Sequence, residues 1–501
     1  MISRIKLSYK NLALIALILG IVSYTFVQSK QRGMHQTLPH PFYTHFFYMG
    51  AAISELRYGA TGYRCDKKIM ETLLDKMALK EKGVAEDEDL KDPDIINNAI
   101  KMAIKVDSDG QYLTFDNDKG FAVYCKLAFK IFGFKVESLF YFYYLLLGIS
   151  VFVFLLTFYN RVDFLFILLL FVCSHFVVVM AAPKVGIQLQ TVHNMRFLPV
   201  LAILPSLYLM FLILGEKKYN LATLICAFIQ ASIIIFIIHT RFSAVYQIMF
   251  LSTIFCLSIL WYWFQKPMMG KYVFKKIFFW PLGIILVSFF FLKIHMLLYY
   301  HHSYDATDSN HVFWHTVYLG LGAHPESESK YGIDYYDDNI GFEAALERAP
   351  LDGIAKEDVM MYSELYEMLL KNAFKNILTQ DPLFVFKTFF YYKPLLFIQN
   401  YFRFFFNAVD YFYKWTLLII VVLGSMMVGK VFLKRWFQYF YMISLATAFS
   451  FLPSILVIPG PHLIADLALL FTFLIYMTIS GSFCYISGFL SLKHVKSKIT
   501  R

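Results

Sequence analysis

Residues 118–158 read DKGFAVYCKLAFKIFGFKVESLFYFYYLLLGISVFVFLLTF, and two patterns that follow one another in this stretch decide the fold. Gly120 to Phe134 reads as an amphipathic helix that lies on a membrane interface. From Ser138 onward the chain is apolar on every side for about twenty residues, the length that crosses a hydrocarbon core of about 30 Å. A surface helix therefore leads directly into a membrane span.

Comparable apolar runs extend in both directions. Asn11 to Gln28 follows Arg4, Lys6 and Lys10 and resembles a signal sequence, but no small-residue cleavage site follows, so it reads as an uncleaved first helix. Further runs begin near Phe164, Phe197, Asn220, Ala244, Ile277, Phe412, Phe437 and Ile464. The expected fold class is an all-α polytopic membrane protein with about ten transmembrane helices and two large non-cytoplasmic loops. Composition agrees. Of 501 residues 58% are hydrophobic and 16% charged, and a water-soluble fold cannot hide that much apolar surface.

Basic residues give the orientation, because short cytoplasmic loops are enriched in Lys and Arg. With the N-terminus inside, the inside segments hold Arg161, then Lys217 and Lys218, then Lys266, Lys271, Lys275 and Lys276, then Lys434 and Arg435, then Lys493, Lys496, Lys498 and Arg501. The net charge of +11 is thus a topology signal and does not call for a nucleic-acid partner. The expected divisions are a first helix with a basic cytoplasmic start (1–28), a first outer loop (29–136), spans two to seven (137–297), a second outer loop (298–411), spans eight to ten (412–490) and a basic tail (491–501).

Both loops read as structured. Asp92 to Val106 has apolar residues at helical spacing. Lys356 to Leu378 reads as a charged helix, and Asp381 to Tyr401 (DPLFVFKTFFYYKPLLFIQNY) is aromatic and basic enough to lie along the bilayer. Cys65 and Cys125 share the first loop, and in an oxidising compartment they either pair or stay free. The other four cysteines lie in apolar runs as packing residues.

One long outer loop after the first span and another after the seventh, with both termini inside, resembles the glycosyltransferase C superfamily, also called GT-C. Asp118 to Phe158 looks like the end of that superfamily's first loop and its second span, and Asp381 to Lys393 is similar to the amphipathic helix before its eighth span. The resemblance implies a glycosyltransferase that moves a sugar from a polyprenyl-phosphate donor to a lipid or glycan acceptor on the non-cytoplasmic face. The family's acid just after the first span has no counterpart here. Leu38 to Gly59 reads LPHPFYTHFFYMGAAISELRYG, with His40 and His45 near its start and no acid before Glu55.

Transfer from a lipid phosphate needs a carboxylate to take the acceptor's proton and cations to offset charge on the leaving phosphate. Asp116 and Asp118, in VDSDGQYLTFDNDKG with Asp107 and Asp109, are the expected catalytic acids; the same run also suits a solvated turn that caps the next helix. Arg196, with His193 beside it, and Arg241, near His239, stand at outer helix ends; the two arginines are the expected phosphate ligands and His193 an expected substrate contact. Snorkelling of long side chains to the interface would put them there too. In the second loop Trp314, His315 and Asp337 are expected to contact sugar, with Tyr318 and Asp338 beside them; an ordered loop packed on helix ends is the structural alternative. His311 and His315 share a helical face, but no HExxH or third ligand makes a metal centre. The sequence assigns no cofactor and leaves a divalent cation open. Asp466, an acid at the start of the last apolar run, is a site candidate by its position alone.

Expected partners are the lipid-linked donor, the acceptor and membrane lipids. The absence of N-x-[ST] acceptors in the outer loops and of a C-terminal retention signal points to a bacterial inner membrane with the loops in the periplasm. A transporter or flippase of a lipid-linked substrate, or a non-catalytic assembly subunit of the same layout, would use the same cavity without bond chemistry.

Overall fold

The computed structural model describes residues 8–36, 42–59, 64–73, 93–113, 120–185, 191–216, 220–265, 279–299, 313–334, 337–361, 363–402, 407, 409–450 and 465–499. Six helices among them are long and apolar enough to cross a membrane: Tyr9–Gln31, Glu137–Phe158, Val162–Val185, Leu221–Thr240, Phe412–Gly429 and Ala465–Ile486. Leu198–Ile213, Tyr246–Leu260 and Gly283–Ile294 are shorter apolar helices.

In chain order the helices of the bundle are α1 (Tyr9–Gln31), α2 (Phe42–Tyr58), α3 (Pro93–Ala103), α4 (Gly120–Phe132), α5 (Glu137–Phe158), α6 (Val162–Val185), α7 (Ile203–Ile213, entered through a 3-10 turn at Leu198–Ala202), α8 (Leu221–Thr240), α9 (Tyr246–Gln265) and α10 (Phe279–Tyr299). α6 is apolar all round and sits at the centre, packed against α1, α17 (Tyr411–Ser450) and α18 (Ala465–Ile499). Its charged groups are confined to its ends. At its start Arg161 holds Asp163 in a bidentate pair at 3.0 and 2.7 Å and reaches Glu216, which also binds Arg435. At its far end Lys184 and Arg32 meet Asp410 at 2.8 and 3.3 Å, and Lys184 first among them holds that carboxyl below the usual range. Between the clasps the polar groups bond one another: Tyr143 with His175 at 2.8 Å, and the Ser150 hydroxyl donates to Gln230 at 2.9 Å. Polar groups in an apolar interior need such partners. α17 is broken at Gly429, whose φ of 52° and ψ of −130° are not helical.

The structure is mostly helical, as expected, and the stretch between α1 and α5 adds one short strand pair. Two three-residue strands, β1 (Arg64–Asp66) and β2 (Gln111–Leu113), pair antiparallel with Cys65 opposite Tyr112. Their link is Asp66, which is buried and whose carboxylate accepts from the amides of Lys68, Ile69 and Asp109 and from the Ser108 hydroxyl at 2.6 Å. Cys65 and Cys125 are both buried free thiols, and burial pushes the Cys65 thiol up to about 12.

A second unit has its own core, formed by α11 (Phe313–Leu319), α12 (Ser327–Tyr331), α13 (Asp338–Arg348) and α14 (Glu364–Gln380) around Leu319, Leu321, Ile333, Tyr366, Leu369 and Leu370. The charged helix expected over 356–378 is a 3-10 turn at Lys356–Asp358 followed by α14, because the Ser363 side chain caps α14 by accepting from the Tyr366 amide at 3.1 Å. The unit runs out through α15 (Pro382–Lys387), a π-helical turn at Thr388–Tyr392 and α16 (Lys393–Asn400).

Candidate functional site

Polar side chains gather where α6 and α8 end. α6 finishes at the Lys184 clasp and the chain turns through Thr191 to Arg196; α8 begins after Glu216, at the opposite clasp, and ends at Thr240. Both turns therefore lie at one end of the bundle. The turn of residues 191–196 is held from within, since the Asn194 side chain accepts from the Arg196 amide at 2.8 Å. Arg241 caps α8, donating its amide to the Ile237 carbonyl at 2.8 Å in extended conformation (φ −145°, ψ 109°). The 3-10 turns that follow the two arginines, Leu198–Ala202 and Phe242–Val245, pack against each other. His193 and Asn194 are buried, and Arg196 and Arg241 are half-buried. Burying a guanidinium in lipid costs a few kcal/mol or more, so both side chains need polar surroundings. On the same segments Thr191 Oγ1, Tyr246 OH and Gln247 Nε2 are buried with no hydrogen-bond partner among the described residues. These are handles a polar ligand would satisfy.

The first loop closes onto this place through α4. Gly120 begins α4 in contact with the end of α8, so close that a Cβ on it would stand 2.2 Å from the His239 carbonyl oxygen. Only glycine allows that approach. α2 lies on α4, with the buried His45 ring edge-on to Phe121 at 5.2 Å and Glu55 paired with Lys126 at 2.6 Å. Burial raises the Glu55 carboxyl above its ordinary value, and Lys126 opposes that rise. His45 and Gln247 thus join a neighbourhood where His193, Arg196, Arg241 and His239 already stood out in sequence. Their signal was a polar residue within an apolar helix.

Asp116 and Asp118 lie outside the described residues, between Leu113 and Gly120 in the chain. Asp107 and Asp109 are exposed, and the Asp109 amide is tied to Asp66. His311 also falls outside the described residues.

The second-loop candidates have structural work in their own unit. Glu367 accepts from the amides of Trp314 at 2.6 Å and His315 at 2.8 Å, which satisfies the start of α11. The buried His315 ring bonds the Tyr366 hydroxyl at 2.6 Å, with Gly341 pressed against both. The Trp314 ring lies 5.8 Å from Phe374 and under the Lys371 ammonium at 5.7 Å. Asp337 is exposed and caps α13 through the Asn339 amide at 2.9 Å. Tyr318 is buried in the same core, while the side chain of Asp338 is outside the described set. Asp466 is buried at the start of α18, where its Oδ1 accepts from the Leu467 amide at 2.8 Å.

Among the described residues no three His, Cys, Asp or Glu side chains come close enough to hold a metal ion. No protein-family model, curated protein or solved structure matches the chain.

Proposed function

We propose that the chain is a membrane-bound glycosyltransferase that moves a sugar from a polyprenyl-phosphate donor to a lipid or glycan acceptor. In this reading ten spans, including the three shorter apolar helices and the part of α17 beyond Gly429, leave both loops on the non-cytoplasmic side of a bacterial inner membrane. The observation that carries it is the packing of the two arginine-bearing turns against each other, with the start of α4 seated on the end of α8. Two guanidiniums on adjoining turns at a bundle end suit a phosphodiester anion that arrives with its tail in lipid and gains a second negative charge as the sugar leaves. The first-loop stretch with Asp116 and Asp118 leads straight into Gly120, so a carboxylate from it serves as the acceptor's base.

Mechanistically, Arg196 and Arg241 hold the donor phosphate and gain strength as charge builds on it when the glycosidic bond breaks. Asp116 or Asp118 takes the acceptor proton. In this reading the half-buried Trp314 ring is the part of the second unit suited to sugar, while His315 and Asp337 hold the helices beside it in place.

The test is transfer by the purified protein from radiolabelled polyprenyl-phosphate sugars to lipid and glycan acceptors. Arg196→Ala and Arg241→Ala each lower the rate by roughly 100-fold, the usual effect of removing one charge-stabilising donor. Asp116→Asn or Asp118→Asn abolishes it. Full transfer by both Asn variants removes the catalytic assignment, and no transfer by wild type to any acceptor removes the enzyme.

A further inference from the structure

The helical rod from Pro382 to Phe402 keeps one apolar face turned outward for its whole length, and an irregularity makes this possible. In α15 and the turn, Leu383, Phe386 and Phe390 are exposed, whereas Phe384, Val385, Thr388 and Phe389 are buried. At about 100° per residue, the winding of an α-helix, these two sets fall on opposite sides. Continued unbroken, that winding would carry Phe397 and Tyr401 to the side of Phe386 and Phe390. Instead both are buried, and Leu395, Ile398 and Phe402 are exposed. The π turn explains the change, because the Lys393 amide donates to the Thr388 carbonyl five residues back. Such a turn holds one extra residue and delays everything after it by about 100°. With that delay the exposed residues of α16 align with those of α15.

The lower end of the rod meets a helix long and apolar enough to span a membrane. The Tyr401 hydroxyl bonds Thr472 of α18 at 3.1 Å, inside the Ala465–Ile486 apolar window. Beside this bond an apolar groove of about 320 Å³ runs between Ile398 and Phe402 on one wall and Phe471, Leu474, Ile475 and Ile479 on the other. The upper end is marked by the Lys330–Asp381 ion pair. No acid occurs between Pro382 and Phe402, and the exposed Lys387 flanks the stripe.

We propose that the stripe is a lipid-contact surface: the rod lies in the bilayer with Leu383, Phe386, Phe390, Leu395, Ile398 and Phe402 against lipid chains, one of which occupies the groove beside α18. Continuity with the face of a membrane-spanning helix identifies the occupant as lipid. Lys387 beside the stripe fits anionic headgroups, which attract surface lysines. The inference stands apart from the catalytic reading and holds for an enzyme or a transporter alike.

Spin labelling of the full chain in lipid nanodiscs tests it. On a background with the exposed Cys256 and half-buried Cys226 changed to Ser, single nitroxides are placed by Phe386→Cys, Phe390→Cys, Leu395→Cys and Ile398→Cys, with Leu351→Cys and Met360→Cys as exposed controls on the second unit. The rod labels collide with oxygen, which concentrates in lipid, more than with a water-soluble nickel chelate, and the controls show the reverse. A photoreactive phosphatidylcholine in the same discs leaves adducts on residues 471–479 that Leu474→Trp, which fills the groove, removes. Nickel access at the rod positions would overturn the proposal. So would shielding from both reagents, the signature of a protein partner or a second copy, and adducts undiminished by Leu474→Trp would overturn the groove.

Discussion

Deleting Tyr391 leaves the protein almost as stable as wild type, although a one-residue deletion in a helix that packs at both ends is ordinarily ruinous. Tyr391 is exposed and stands in the five-residue π turn, so its loss converts the turn to regular α-helix. Phe397 and Tyr401 then keep their inward phase, and the expected cost is within about 1 kcal/mol, that of losing an exposed side chain. Inserting one Ala between Leu395 and Leu396 does the opposite. It rotates Phe397 and Tyr401 by about 100° out of their packing. Removing a large buried ring costs about 3 kcal/mol or more, and the lost Tyr401–Thr472 hydrogen bond adds about 1 kcal/mol. The sum, about 7 kcal/mol, matches the whole stability of a typical domain. Thermal unfolding of both variants in detergent, with monodispersity by size exclusion, makes the comparison. If the Tyr391 deletion unfolds as early as the Ala insertion, the turn does not correct phase and the reasoning fails.

Lys393 has a buried amine that lies 4.1 Å over the Phe389 ring, and burial pushes it well below its ordinary value. As pH falls below about 10.4 the unfolded chain takes up a proton the folded chain refuses, so stability drops by up to about 1.4 kcal/mol per pH unit until the folded pKa is reached. Lys393→Met therefore raises Tm, and by more at pH 7 than at pH 10; an equal gain at both would contradict the burial argument. Gly120→Ala puts a methyl into the His239 carbonyl, and separating α4 from α8 costs about 1–3 kcal/mol, read as a lower Tm; an unchanged Tm would show that this contact is not tight. Asp163→Asn breaks the bidentate pair with Arg161 at a buried carboxylate, and because Arg161 is partly solvated the cost is about 2 kcal/mol; denaturant or thermal midpoints check it, and no shift would mean the clasp is ornamental to stability.

Much of the helical layout was legible because long apolar runs need no tertiary information. The separate runs near Phe412 and Phe437 fall on either side of Gly429, where α17 breaks. The short strands at Arg64–Asp66 and Gln111–Leu113 carried no signal, since three residues are too few to show a period of two. Trp314, His315 and Asp337 were singled out by residue type. What sequence could not show is that Glu367, 52 residues beyond His315, supplies the carboxylate that ties down two of those amides. The arginine turns were found from charge at helix ends, whereas their mutual packing came from tertiary structure. The change of phase at the π turn was invisible to any reading that assumes a constant 3.6 residues per turn, though it is written in the sequence as a stripe that steps from Leu383, Phe386 and Phe390 to Leu395, Ile398 and Phe402.

That step also explains why one rod can serve two cores. Phe384, Val385 and Phe389 belong to the core of the second unit, while Phe397 and Tyr401 belong to the core of the bundle. A continuous α-helix has a single phase and could seat only one of these sets while turning the other outward. With the extra residue at Thr388–Tyr392 both sets are buried on the same side, and Lys393 falls at the seam between them. The Lys393 amine bears the cost of that position, since it is the first side chain after the turn and is carried inward with Phe397 and Tyr401. The connection between the second unit and the bundle is thus specified by helix register.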